Sequence, residues 1–185
     1  MTAARPLVIL IGPPGAGKSS VGPLVAARLG VEFLDTDAEV GAAAGKPVSD
    51  IFIENGEEAF REIERAAVAR ALSEDSALRA DGGVLALGSG AVLDDGAQRL
   101  LAGLPVVYLS ASFATVARRI GLDRPRVVVP GNPRGRLRAM LDTRVPLYQR
   151  LAAVTVETDD LDPDELAAEI TAKIAGPEDQ SGKTR

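Results

Sequence analysis

The 185-residue chain has no cysteine, no histidine and no tryptophan. Without thiols there are no disulfides and no cysteine nucleophile; without imidazoles the usual zinc ligand sets and histidine acid–base chemistry are excluded as well. A general base must therefore be a carboxylate, a lysine or a tyrosine. Aromatic residues make up only 3% of the chain and the net charge is −5, so stacking platforms and a broad cationic surface are both missing and nucleic acid is not an expected partner. Long apolar runs are missing too. The opening MTAARPLVIL has one arginine and an aliphatic stretch too short for a signal peptide or a membrane span, so no membrane partner is expected and a cytoplasmic location is the default. The length fits one domain over 1–176, with a polar tail over 177–185 that reads as disordered.

What is present begins near the amino terminus. Leu7-Val8-Ile9-Leu10-Ile11 is short, aliphatic and partly β-branched, as in a buried parallel strand, while Val21, Leu24, Val25 and Leu29 recur at helical spacing before Gly30, a natural C-cap. Between them Gly12 to Ser19 reads GPPGAGKS, which fits the GxxxxGKS/T phosphate-binding loop in the strand, loop, helix order that such a loop needs. Glycines let backbone N–H groups turn on an anion, the helix N-terminus adds partial positive charge, Lys18 can reach β- and γ-phosphates, and the Ser19 hydroxyl suits Mg²⁺. A nucleoside triphosphate is the implied ligand; the alternative is a plain glycine-rich turn.

Residues 31–34 predict a second strand ending in Asp35-Thr36-Asp37. Strand alternation would point Asp35 and Asp37 the same way off its carboxyl end, where an open α/β sheet has its ligand crevice. Two carboxylates there could serve Mg²⁺ and a substrate hydroxyl, or Thr36 or Asp37 could cap a helix expected over 38–44. A helix over 48–54, a break at Asn55-Gly56 and a longer helix over 57–72 follow, with Phe60, Ile63 and Ala67 as its buried stripe. Arg61 and Glu64 share a face of that helix, either as an exposed ion pair or as an anion-binding arginine oriented by an acid.

Residues 73–83 read as a loop and 84–87 as a third strand, running into Gly88-Ser89-Gly90. Small residues there let a ligand approach backbone donors, or simply make a tight turn. A helix over 97–102, a strand over 106–109 and a helix over 113–120 lead into a segment with seven arginines from Arg118 to Arg138 against one acid, Asp123. In an acidic protein that binds a triphosphate, this glycine- and proline-rich stretch over about 118–136 reads as a mobile lid closing on phosphates. A solvated basic loop and a local nucleic-acid patch are its alternatives. Helix resumes over 137–151, where Pro146 should kink or divide it, then a strand over 153–156 and a last helix from Asp162-Pro163. Five strands alternating with helices predict a three-layer α/β/α sandwich around a five-stranded parallel sheet, of P-loop kinase type.

GPPGAGKS, LDTD over 34–37, FREIE over 60–64, LALGSGAV over 85–92, VVYL over 106–109, Arg124-Pro125 and RVPLY over 144–148 form an ordered set that resembles the shikimate kinase family from Leu7 to about Ile174. The resemblance implies that Gly15, Ala16, Gly17, Lys18, Ser19 and Ser20 bind ATP, with Arg119 beside the adenine and Arg124 reaching the phosphates from the lid. Ser19, and Asp35 through water, would hold Mg²⁺. Asp37 would bind the shikimate hydroxyls and act as, or near, the base. Arg61 and Arg144 would clamp the carboxylate, a task suited to the guanidinium fork, and Gly88, Ser89 and Gly90 would line the acceptor with backbone donors. Phe52 and Phe60 would wall the ring. Catalysis would fall to Lys18, Asp37 and Arg124, with Asp37 at an ordinary aspartate pKa of ~3.9.

The implied reaction, by a monomer, moves the γ-phosphoryl of ATP to the 3-hydroxyl of shikimate, a step toward chorismate and the aromatic amino acids. Another small-molecule kinase, such as a gluconate kinase, and a non-catalytic nucleotide-binding switch are the alternatives. Two departures from the family pattern stand out: its usual triple glycine is Gly88-Ser89-Gly90, and Arg126-Val127 replaces the two leucines that usually follow Arg124-Pro125.

Overall fold

The computed structural model describes residues 7–73, 75–123 and 131–175. Strands β1 (Leu7–Ile11), β2 (Glu32–Asp35), β3 (Gly83–Ala86), β4 (Val106–Ser110) and β5 (Val154–Glu157) form one sheet in the order β2-β3-β1-β4-β5, and every neighbouring pair is parallel. Helices α1 (Lys18–Leu29), α2 (Thr36–Ala44), α3 (Val48–Leu72), α4 (Ala77–Asp81), α5 (Asp95–Leu101), α6 (Phe113–Arg119), α7 (Pro133–Leu151) and α8 (Pro163–Ala175) connect and flank them.

The layers follow from the alternation of aliphatic side chains along strands that are buried on both faces. Val8, Leu10, Val107 and Leu109 turn toward Val21 and Val25 of α1 and Leu166 and Ile170 of α8. Ile9, Ile11, Leu85 and Tyr108 turn the other way, onto Val68 and Leu72 of α3, Leu101 of α5 and Tyr148 of α7. Each fully buried aliphatic chain contributes about 1.5–3 kcal/mol, so the sheet is a firm platform for what stands on its edge. Because all strands run the same way, the loops after Ile11, Asp35, Ala86 and Ser110 meet at one carboxyl-end edge, where ligand sites of open α/β sheets form.

The expected fold is realised, with local differences. The break at Gly56 is present inside α3 as a non-helical residue with φ 82 and ψ 171. The stretch read as a loop over 73–83 contains α4, started by the Ser76 side chain accepting from the Arg79 N–H at 3.2 Å. A 3₁₀ turn over Ala91–Leu93 follows β3.

Helix α7 begins at Pro133 rather than 137, because Asn132 caps it by accepting from the Gly135 N–H at 2.8 Å and proline is at ease in a first turn. It also runs through Pro146 undivided; Leu141 and Tyr148, buried on either side of the proline, anchor both halves. The basic segment is therefore helical at both margins, with Arg118 and Arg119 in α6 and Arg134 and Arg136 in α7. Arg124, Arg126 and Val127 lie outside the described residues, as do the Phe52 side chain and the tail over 177–185. Among the described residues no helix is long and apolar enough to cross a membrane.

Candidate active site

The loop after β1 enters α1 through Gly17, whose φ of 102 and ψ of 8 place it in the left-handed region that favours glycine. Lys18, 9% exposed, donates from Nζ to the carbonyls of Gly12 at 2.8 Å and Pro13 at 3.1 Å. Burial brings its pKa down from 10.5 to about 8, against the opposing pull of the Asp37 and Asp35 carboxylates. Arg119 reaches the same loop from α6: Nη1 donates to the Gly15 carbonyl at 3.2 Å and to Thr158 Oγ1 at 3.0 Å, and Nη2 to the Thr158 carbonyl at 2.6 Å. A cleft of about 320 Å³ lies over the loop, with Gly15, Lys18, Ser19, Asp35, Asp37 and Ser89 in its walls.

Both aspartates border that cleft, though not through strand alternation. β2 ends at Asp35, which caps α2: its Oδ1 accepts from the Asp37 N–H at 2.9 Å, so Asp37 sits in the first helical turn. The helix thus starts at Thr36, and neither Thr36 nor Asp37 is its cap. Asp35 Oδ2 accepts from Ser19 Oγ at 2.5 Å, tying the second strand to the phosphate loop. Asp37 does not keep an ordinary pKa. Burial and then the neighbouring Asp35 charge raise it, with Lys18 and Arg61 pulling the other way.

The loop after β3 works as space as much as donor. The Gly88 N–H, expected to face an acceptor molecule, donates instead to the Oγ1 of fully buried Thr36 at 2.9 Å. A Cβ on Gly88 would fall 2.6 Å from both Asp37 Oδ1 and Glu64 Oε1, and one on Gly90 would fall 2.8 Å from Arg61 Cζ. These glycines let two carboxylates and a guanidinium close on the turn.

Arg61 and Glu64 do pair, Nη1 to Oε2 at 2.5 Å, but the pair is not exposed, since Glu64 is 3% accessible. Burial raises the Glu64 pKa despite the hydrogen bond and charge of Arg61. Arg61 Nη2 also reaches Glu57 Oε1 at 3.4 Å. Phe60 packs among Val40, Ile51 and Ala67, with the Arg61 guanidinium 5.1 Å from its ring centre.

From α7, Arg144 Nη1 donates to Ser89 Oγ at 3.1 Å and the Tyr148 hydroxyl to the Ser89 carbonyl at 2.6 Å. The charges form one cluster: Lys18 feels Asp37, Asp35 and Arg144, and Glu64 feels Arg61, Asp37 and Arg144. Thr36, Tyr148 and the Ser89 hydroxyl are the site groups that the sequence alone does not single out.

A hard cation fits this donor set. Ser19 Oγ and Asp35 Oδ2 already lie in contact. Among the described residues no trio of carboxylates gathers to cage an ion, so water and phosphate oxygens would supply the remaining ligands, as suits Mg²⁺.

The shikimate kinase family model matches residues 14–175. The chain belongs to the shikimate kinase family. With it comes the character of an ATP-dependent kinase. The chain is 54% identical to a shikimate kinase of Thermobifida fusca over 92% of its own length and 95% of the relative's, and 48% identical to one of Salinispora arenicola over 92% and 98%. A shikimate kinase of Acinetobacter baumannii solved in complex with shikimate superposes with a TM-score of 0.82 at 35% identity, covering 94% of each chain. A gluconokinase of Sinorhizobium meliloti matches at a TM-score of 0.59 and 21% identity over 93% of each chain, a likeness of fold alone.

Proposed function

We propose that this shikimate kinase homologue passes the γ-phosphoryl group of ATP to the 3-hydroxyl of shikimate, giving shikimate 3-phosphate and ADP, in the cleft between the phosphate loop, Asp37 and the turn over 88–90. The observation that carries the reading is the gathering of buried Lys18 and Glu64, half-buried Arg61 and Arg144 and solvent-facing Asp37 into one charge cluster beside a phosphate-binding loop. A small acceptor with both a carboxylate and a hydroxyl matches two guanidinium groups and an aspartate.

In this mechanism the N–H groups from Gly15 to Ser20, Ala16 and Gly17 among them, cradle the phosphates, and Lys18 gives up the carbonyls of Gly12 and Pro13 for a phosphate oxygen. Arg119 flanks the adenine at the loop's rim. Ser19, and Asp35 through water, would hold Mg²⁺, which would supply charge neutralisation at the phosphates. Arg61 and Arg144 take the carboxylate and so fix the ring. The backbone of Ser89 and Gly90 lines it, and Gly88 leaves the room.

Asp37 accepts the proton of the 3-hydroxyl as its oxygen bonds to the γ-phosphorus and the bond to the β-phosphate oxygen breaks. Such transition states are loose, so positioning and charge do most of the work. Arg124, outside the described residues, would add positive charge at the phosphates. The enzyme works as a soluble cytoplasmic monomer.

A coupled ADP-release assay over shikimate, gluconate and nucleoside monophosphates tests the reading. Turnover should appear with shikimate and vanish in Lys18→Ala and Asp37→Asn, both still folded by circular dichroism. Equal turnover with gluconate, or wild-type rates in either variant, would overturn it.

A further inference from the structure

We propose that the Ser89 hydroxyl is a positioning group that presets Arg144 for the acceptor carboxylate, a task that glycine at this position cannot perform. The inference rests on the reading of Arg144 as a carboxylate ligand and adds to it the group that orients the arginine. Ser89 is gripped twice by one face of α7: its carbonyl accepts from the fully buried Tyr148 hydroxyl at 2.6 Å, and its Oγ accepts from Arg144 Nη1 at 3.1 Å. Arg144 and Tyr148 lie about one helical turn apart, so the two contacts fix the turn after β3 and the guanidinium in one frame.

The two acceptor-side arginines are held in different ways. Arg61 is paired with Glu64 at 2.5 Å and approaches Glu57 at 3.4 Å, so much of its charge is neutralised inside the protein. Among the described residues no carboxylate forms an ion pair with Arg144. Its side-chain partners are the neutral hydroxyls of Ser89, at 3.1 Å, and of Tyr148, which fix direction without cancelling charge. A guanidinium carries five N–H donors in a rigid fork, and the one spent on Ser89 leaves a bidentate edge for a carboxylate. An acid at position 89 would hold the arginine but neutralise it; glycine would leave it charged but held only from within α7, by Tyr148. Serine supplies orientation with the charge intact, so the acceptor meets a side chain that need not be ordered on binding.

The test is a double-mutant cycle on Ser89→Ala and Arg144→Ala, reading kcat and the KM for shikimate and for ATP. Losing one hydrogen bond should raise the shikimate KM of Ser89→Ala about three- to tenfold while kcat and the ATP KM stay within about twofold. With Arg144 already replaced, adding Ser89→Ala should change the shikimate KM by less than about twofold. Ser89→Gly, which lacks the hydroxyl by another route, must reproduce the shift.

A Ser89→Ala effect that persists in full without Arg144, or no effect in either Ser89 variant while Arg144→Ala alone weakens the acceptor, overturns the inference and leaves the carboxylate role of Arg144 standing. An Arg144→Ala variant with unchanged shikimate KM removes that role, and the inference falls with it.

Discussion

Gly90→Ala separates the shape of the acceptor pocket from the stability of the fold. Gly90 has φ −93 and ψ −15, a backbone that alanine adopts without strain. The new methyl would overlap Nη1 of Arg61, its nearest neighbour, and stand 2.8 Å from both Cζ and Nη2. Since such contacts settle at about 3.5–4.0 Å, Cζ must retreat by roughly 0.7 Å and Nη1 by more than about 1 Å. What gives way is the far end of a flexible side chain, so the turn itself stays.

The Arg61 to Glu64 bond at 2.5 Å cannot survive that retreat unchanged. A charge-assisted hydrogen bond is worth about 1.5–3 kcal/mol, which corresponds to roughly ten- to a hundredfold in affinity. Loss of glycine's freedom in the unfolded chain returns about 0.4–1 kcal/mol to stability, partly offsetting the disturbed pair. The expectation is therefore a shikimate KM raised tenfold or more, an unchanged ATP KM and a urea midpoint close to wild type. Steady-state kinetics by ADP release and urea unfolding followed by circular dichroism read all three. An unchanged shikimate KM would show that Arg61 does not hold the acceptor, and an equal loss for ATP would show that the methyl disrupts the site at large.

The pH dependence has a definite sign. Burial and Asp35 raise the Asp37 pKa, so if Asp37 must be ionised the acid limb of kcat/KM should lie above the ordinary aspartate value of ~3.9; a limb at or below that value refutes the role. Stability runs the other way, because a carboxyl whose folded-state pKa is raised contributes fully below its unfolded pKa and loses that contribution as pH rises through the folded value. Asp37→Asn, without nucleotide, should therefore raise the urea midpoint at pH 7 while removing turnover, and a gain that does not shrink toward pH 4 would contradict the argument. Tyr148→Phe keeps the stack on Tyr108, with ring centres 5.2 Å apart, but leaves the Ser89 carbonyl without its hydroxyl donor. It should cost about 1–3 kcal/mol in urea unfolding, and a loss well under that would mean another donor replaces the phenol.

The parts legible in the sequence were those set by local order. The phosphate loop could be read because a buried strand, its glycines and an amphipathic helix follow one another without a gap, and the parallel sheet because aliphatic runs alternate with helical ones. Asp35 and Asp37 were found for a reason that does not hold: alternation along β2 suggested a shared direction, whereas capping of α2 brings both to the cleft. Helix α4 was hidden because its flanks are polar, although Ser76 before Ala77-Leu78-Arg79-Ala80 is a capping residue ahead of good helix formers. The bonds from Gly88 to Thr36 and from Tyr148 to Ser89 join residues 52 and 59 positions apart, and no local pattern carries such information. Nor does periodicity reveal that Glu64 is buried rather than solvated.

The clustered charges are best understood as a conflict that the substrates would resolve. Lys18 is pushed toward neutrality by burial and rests on backbone carbonyls, while Asp37 and Glu64 are pushed toward protonation in the same small volume. A structural core would have little use for this arrangement, because each group would be better solvated elsewhere. In the proposed mechanism a triphosphate would supply negative charge to Lys18 and a carboxylate would do so for Arg144, so each ligand would restore a charge balance that the fold alone leaves open. Substrate binding should then stabilise the protein through these same groups, and the sheet behind them, apolar on both faces, is what allows the fold to hold these charges together.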